Sequence, residues 1–386
     1  MKTSRSTAVA AAVGLAALLI AAPAAQQTPF NTHDDYTEYN LLGPATHQFH
    51  IVYYLTQRQV GAETVLNQTR SGSAGSDISV TDPRTGRPLM FEYKTGAELM
   101  AAGERSGLNA QEHYIRAFLP RPVPEGGEGR VRIEKTYLDD KSYFTQGEDV
   151  VFDRSLGIGR NAIVLPPGYT LVASNVAGQV MALPDGRMKV AFENVNAYAA
   201  AVVVRGRKTG ASVVSSLKVV ERAFDFSKTL YDLQAPETHG VAVRHEYTET
   251  TPGARSRLTF LSRHSLVELA VTDVDLGQAL EVVAEAGGRA AVLKQPIVNP
   301  SESVRIRVSG IEQNSTYRVE GGELLWEKTL YEPRTSILLP AGWDVMAVSV
   351  PATVSTTREG RVAVQVYNTR LEPVATSVRA SRRPAR

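Results

Sequence analysis

Along much of this chain, apolar and polar residues alternate over short runs. The alternation is clear in Arg187–Phe192 (RMKVAF), Arg361–Tyr367 (RVAVQVY) and Val304–Val308 (VRIRV). A pleated strand places every second residue on one face, so such runs predict half-buried strands. They are rich in β-branched residues and bounded by turn formers: Asp185-Gly186, Glu359-Gly360, Asp82-Pro83 and the Pro124–Gly129 stretch. Pro184-Asp185-Gly186, lying between two apolar runs, predicts a hairpin. Helical spacing is confined to 94–114 and to Val213–Phe224, the latter expected as a short connecting helix. Many short strands separated by turns predict an all-β fold made of sandwiches rather than a parallel α/β sheet.

The pattern occurs twice. RNAIVLPPGYTLVASNVAGQV from Arg160 aligns without a gap to RTSILLPAGWDVMAVSVPATV from Arg334, at an offset of 174. Across 160–205 and 334–379 there are 15 identities in 46 columns, including Pro166 with Pro340, Gly186 with Gly360, and Asn194 with Asn368. Further upstream, Tyr39, Pro44, Thr46 and His47 match Tyr231, Pro236, Thr238 and His239, and Val80-Thr81-Asp82 matches Val271-Thr272-Asp273. A tandem duplication of one β-sandwich unit is therefore expected. Repeat one covers 30–207, with an insert at 94–114 that repeat two lacks. A linker covers 208–228, repeat two 229–381, and a basic tail 382–386. Each repeat is long for one seven-stranded sandwich, so two lobes are expected, divided near Tyr137–Tyr143 and Ile311–Tyr317.

Composition narrows the function. Residues 1–25 have a basic start (Lys2, Arg5), an apolar run from Ala8 to Ile20 and the small residues Ala22-Pro23-Ala24. That order predicts a cleaved signal peptide, hence export, with no membrane span left afterwards. Removing two positive charges from 42 basic and 40 acidic residues leaves 40 against 40, which argues against nucleic acid as the partner. The chain contains no Cys, which excludes disulfides and thiolate chemistry and suits a Gram-negative periplasm or the extracellular side.

Several chemical-looking motifs fail on context. Gly157-Ile-Gly159-Arg-Asn-Ala162 has dinucleotide-site spacing, but a strand-like run follows where a helix is required. His245-Glu246-Tyr-Thr-Glu249 lacks the second His of a zinc helix. Asp273-Val-Asp275-Leu-Gly277 lacks the remaining ligands of a calcium loop, and its counterpart Asp82-Pro-Arg-Thr-Gly86 reads as a turn. No catalytic, cofactor or metal residue is assigned. Two weaker sets remain. Glu112, His113 and Tyr114 in the insert, with Tyr169 and Trp343 of the repeated Arg-x-x-Ile-x-Leu-Pro-x-Gly-aromatic motif, are candidate ligand contacts. His47, His239 and Asp273 are a candidate ionisable cluster. Arg160 and Arg334, which open that motif, are expected to pair with Asp153 and Glu327.

The succession HQFHIVYYLT, ISVTDPRTGRPLMFEY and HYIRAFLPRPVPEGGEGRVRIEKTY over about residues 40–137 resembles the N-terminal β-sandwich of gluzincin aminopeptidases. The resemblance implies a sandwich architecture. The two-histidine catalytic helix of that family is absent from this chain, so no peptidase activity is carried over. Together these readings give an exported, non-enzymatic β-sandwich protein that binds or scaffolds at the cell envelope, with an envelope protein or glycan as partner. The alternatives are an envelope hydrolase with a site between the repeats and an accessory subunit of a separately encoded enzyme.

Overall fold

Alternation sets the sheets. In the strand Gln48–Gln57, Phe49, Ile51, Tyr53 and Leu55 point inward while their neighbours face outward. Each such inward aliphatic or aromatic side chain contributes about 1.5–3 kcal/mol of transfer free energy. The computed structural model describes residues 34–384 except 72, 105–106 and 196–197; the signal peptide expected over 1–25 lies outside the described residues.

The first half has a seven-stranded sheet. In spatial order its strands are Gln179–Ala182, Met188–Glu193, Arg160–Val164, Tyr36–Leu41, Gln48–Gln57, Gly129–Leu138 and Ala74–Thr81. The second half repeats that order with Thr353–Thr356, Val362–Tyr367, Arg334–Leu338, Ser227–Leu233, Gly240–Glu249, Val304–Gln313 and Leu266–Asp273, and adds the short strand Gln278–Ala279 at the edge. The single parallel pairing also recurs: Tyr36–Leu41 runs beside Arg160–Val164, and Ser227–Leu233 beside Arg334–Leu338. A four-stranded and a three-stranded sheet complete each half.

These smaller sheets pack on one face of the large sheet. In the first half a single core joins Phe49 and Ile133 of the large sheet to Phe152 and Val204 of the four-stranded sheet and Ile115 of the three-stranded one. Tyr231, Trp326 and Leu293 do the same in the second. The two lobes expected in each repeat are thus not separate. Tyr137–Tyr143 and Ile311–Tyr317 are the places where the chain leaves the large sheet, and both sides share one core.

Two further expectations change, at the connector and at the tail, while the helical spacing of the insert is matched by a helix. Val213–Phe224 is not helical. It lies along the outer face of the first large sheet, where Val219 and Ala223 pack with Tyr36, Ala162 and Met181. Gln179 fixes it through both main-chain polarities, donating to Val220 and accepting from Arg222. The insert forms the helix Gly96–Ala101, started by a capping box between Thr95 and Glu98. It expands the connection between Phe91–Thr95 and His113–Phe118, where the second half has only a short turn between Glu281–Glu285 and Gly288–Ile297. The basic tail begins later than expected. Arg382 still belongs to the last strand, Val374–Arg382, where it lies over the Trp343 ring.

Candidate functional site

The two halves meet through their equivalent turns. Asp82–Gly86 and Asp273–Gly277 both bend back through a glycine with positive φ, Gly86 at +66° and Gly277 at +63°. Each glycine sits against the other half: a Cβ on Gly86 would strike Ser301, and one on Gly277 would strike Pro124. Side-chain bulk is excluded there by close approach as well as by backbone conformation.

Buried charges then lock the contact. Arg84 donates to Asp273 at 2.9 Å. Arg130 grips Asp275 with two parallel bonds of 2.6 and 2.7 Å and also reaches Ser303. In return Arg305 donates to Glu128 at 2.7 Å, and the Glu128 amide donates to the Val274 carbonyl at 3.0 Å. Burial disfavours the Asp275 carboxylate, but Arg130 outweighs it and holds the carboxyl below its usual range. At Asp273 burial wins over Arg84 and the carboxyl is raised. Bidentate, desolvated pairs of this kind fix geometry more surely than they add stability.

Beside this seam lies a cleft of about 330 Å³. One wall is the outer face of the second large sheet, with Lys228, Leu230, Arg244, Ser336 and Gln365. The other is the edge of the first half, with Asp34, Arg160 and Glu193. Lys228 pairs with Asp34 at 2.6 Å and Glu246 at 3.1 Å, and Arg307 adds a 2.7 Å bond to Glu246. Burial opposes the Glu246 charge, but Lys228 and Arg307 bring its carboxyl down to about 2. Arg160 and Arg334 do not pair with Asp153 and Glu327. Arg160 donates to the carbonyls of Ala223 and Phe224 at 3.0 and 3.1 Å, and Arg334 to the Asp225 carbonyl and to Glu193. The equivalent arginines of the two repeats thus clasp three successive carbonyls of the connector.

None of the candidate residues singled out in the sequence lines this cleft. His47 and His239 each donate Nδ1–H to a carbonyl, of Tyr143 at 2.9 Å and of Tyr317 at 2.6 Å. Asp273 is in the seam. Glu112 is half-buried and accepts from Ser71, and the exposed His113 stacks on Tyr93. Tyr114 is buried, with its hydroxyl accepting from the Asn109 amide at 3.0 Å. Tyr169 packs half-buried against the first core, and Trp343 is buried in the second, so Trp343 is not an exposed contact ring: its indole closes the sandwich. No cluster of three or more metal-ligating side chains occurs among the described residues, and no helix among them is long and apolar enough to cross a membrane.

No known protein family and no curated protein matches the sequence. Among solved structures, the chain is similar to an aminopeptidase N family protein from Idiomarina loihiensis, with 10% identity, TM-score 0.28, and coverage of 40% of this chain and 29% of that one. It is also similar to a mutant two-domain M1 zinc metallopeptidase bound to L-tryptophan, with 10% identity, TM-score 0.29, and coverage of 45% and 41%. The chain spans less than half the length of either. These are weak, architecture-level likenesses and carry nothing about function.

Sequence reasoning missed two groups. The seam arginines stand in unremarkable turns and strands, and only the opposing carboxylates of the other repeat reveal them. Lys135 looks like an ordinary charge beside a strand, yet it is fully buried, with Nζ donating to Asn67 at 2.5 Å and lying 4.9 and 4.7 Å from the ring centres of Tyr53 and Tyr137. The alternation of Val131, Ile133 and Lys135 on one strand face was the available signal.

Proposed function

We propose that the chain is an exported binding protein of the cell envelope, built by duplication of one sandwich unit, that holds its ligand or partner in the cleft between the halves. The seam carries this reading. Arg84, Arg130 and Arg305 clamp the halves at one end, so the cleft beside them is a standing cavity with fixed walls. A preformed concave site with converging polar groups is the usual form of a recognition site. All three of its carboxylates are engaged by cations, an arrangement suited to recognition more than to proton transfer. Export rests on the leader read at 1–25, and duplication on the shared strand order and the matched positions of His47 and His239.

The test uses the full chain expressed in a Gram-negative host, beside a Ser336→Trp variant whose indole would fill the cleft. The mature protein is expected in the envelope fraction without residues 1–25, and at least one small molecule, glycan or protein should copurify with it and be lost from the variant. Cytoplasmic retention of the uncleaved chain, or identical recoveries from both proteins, overturns the reading.

A further inference from the structure

We infer that the cleft takes a small ligand bearing an oxyanion, a phosphate or carboxylate group, seated between Arg160, Arg334 and Arg244. The inference rests on the binding role proposed above and names its ligand class. Six cations line the cleft against three carboxylates. All three carboxylates are already engaged: Asp34 with Lys228 and Arg58, Glu246 with Lys228 and Arg307, and Glu193 with Arg334.

The surplus charge therefore falls on identifiable groups. Arg160 is only 4% exposed, and its hydrogen bonds go to carbonyl oxygens alone, those of Ala223, Phe224 and Asp34, with the rings of Tyr36 and Phe226 against its guanidinium. Carbonyl dipoles satisfy N–H groups without neutralising the charge. Its Nε–H is buried with no acceptor, and so is that of Arg334. Burial and the like charge of Arg334 both disfavour the cation on Arg160. The side chain of Arg244, exposed at the rim, has no hydrogen bond or ion pair among the described residues. The buried Arg160 and the part-buried Arg334, each with an unpaired Nε–H, and an unpaired third guanidinium at the entrance form an anion receptor, since an oxyanion accepts from several N–H groups while cancelling the repulsion between them.

Size and lining set the remainder. About 330 Å³ is near the lower limit for ligand pockets, which fits a metabolite-sized molecule or a single headgroup rather than a polymer chain. Leu230 and Tyr367 supply a short apolar side to the cavity, which suits an oxyanion on a compact uncharged body.

The experiment is calorimetric titration of the mature chain with inorganic phosphate, with citrate and with neutral N-acetylglucosamine, each at low and at physiological salt. Phosphate or citrate should bind, more weakly in salt, and the neutral sugar should not. Arg244→Gln removes a side chain with no structural partner, so it should fold normally and weaken anion binding about five- to tenfold, while Ser336→Trp should abolish it. Absence of binding by both anions overturns the inference, as does anion binding that neither variant changes. Neutral-sugar binding that is lost in Ser336→Trp also overturns it, while leaving the cleft-binding reading in place. That reading fails separately, by identical recoveries in the capture experiment.

Discussion

His47 and His239 occupy one position in the two halves: each ends a Pro-initiated turn of 3-10 helix with φ at +52° and hands its Nδ1–H to a tyrosine carbonyl. The same tyrosines answer with their hydroxyls, Tyr143 to the Leu42 carbonyl at 2.8 Å and Tyr317 to that of Gln234 at 2.5 Å. The pair staples the start of each large sheet to the point where the chain leaves it.

Left-handed backbone tolerates Asn and resists β-branched residues. His239→Val is expected to cost about 1–3 kcal/mol, and His239→Asn clearly less. Urea denaturation of the two variants checks this, and equal losses would contradict a conformational origin.

Asp275 is the hub of the seam, accepting from Arg130 and from the Arg305 amide. Asp275→Ala leaves Arg130 buried without its partner and is expected to cost about 3–5 kcal/mol. It should also uncouple the halves, so that scanning calorimetry resolves two transitions where the unaltered chain gives one.

Stability should fall in mild acid. Burial, reinforced by the like charges of His264 and Arg263, pushes His245 down to about 3 from 6.5. Between those values the unfolded chain binds a proton that the folded one refuses, so stability declines as pH drops through that window. His245→Gln should flatten the slope of unfolding free energy against pH there by up to about 1.4 kcal/mol per pH unit. Unchanged slopes would refute the assignment.

Lys135 acts in the opposite range. Burial first, then Arg154, brings its ammonium down to about 7 from 10.5. Stability is therefore lowest below pH 7, where the folded state must carry the buried charge, and rises between 7 and 10.5. Lys135→Met is expected to stabilise the protein by about 1–3 kcal/mol at pH 6, with the gain shrinking towards pH 10. A loss at pH 6 would show that the Asn67 bond and the tyrosine faces outweigh desolvation.

The insert should be dispensable to the fold. Replacing 96–110 with a short glycine turn, like the one joining the equivalent strands of the second half, is expected to change stability by under about 1 kcal/mol. Envelope partners recovered with and without the insert then report whether Glu112 and His113 touch anything. Identical recoveries would remove them as contacts.

The sheets were legible because burial here is one-sided: Phe49, Ile51 and Tyr53 alternate with polar neighbours, and the same arrangement returns at Tyr231 and Val243. The cleft was not. Arg160 lies in a motif explained by its turn, and its partners are carbonyls more than 60 residues away, which no side-chain pattern announces. The connector misled for a related reason. Its apolar residues have helical spacing, but Val214 and Leu217 face solvent while Val219 and Ala223 fit a surface that exists only once the first sheet has formed. Arg84 read as a turn residue because its counterpart in the second repeat is Asp275, and opposite charges at equivalent positions become informative only when the two turns meet.

That connector is pinned at its far end by Arg160 and Arg334, whereas Val214 is 91% exposed. A protease nick near Val214 would sever the covalent link and leave both fragments associated. Expressed as two polypeptides, the halves would find each other through complementary charge on their facing turns, re-creating as a heterodimer the arrangement that the connector holds within one chain.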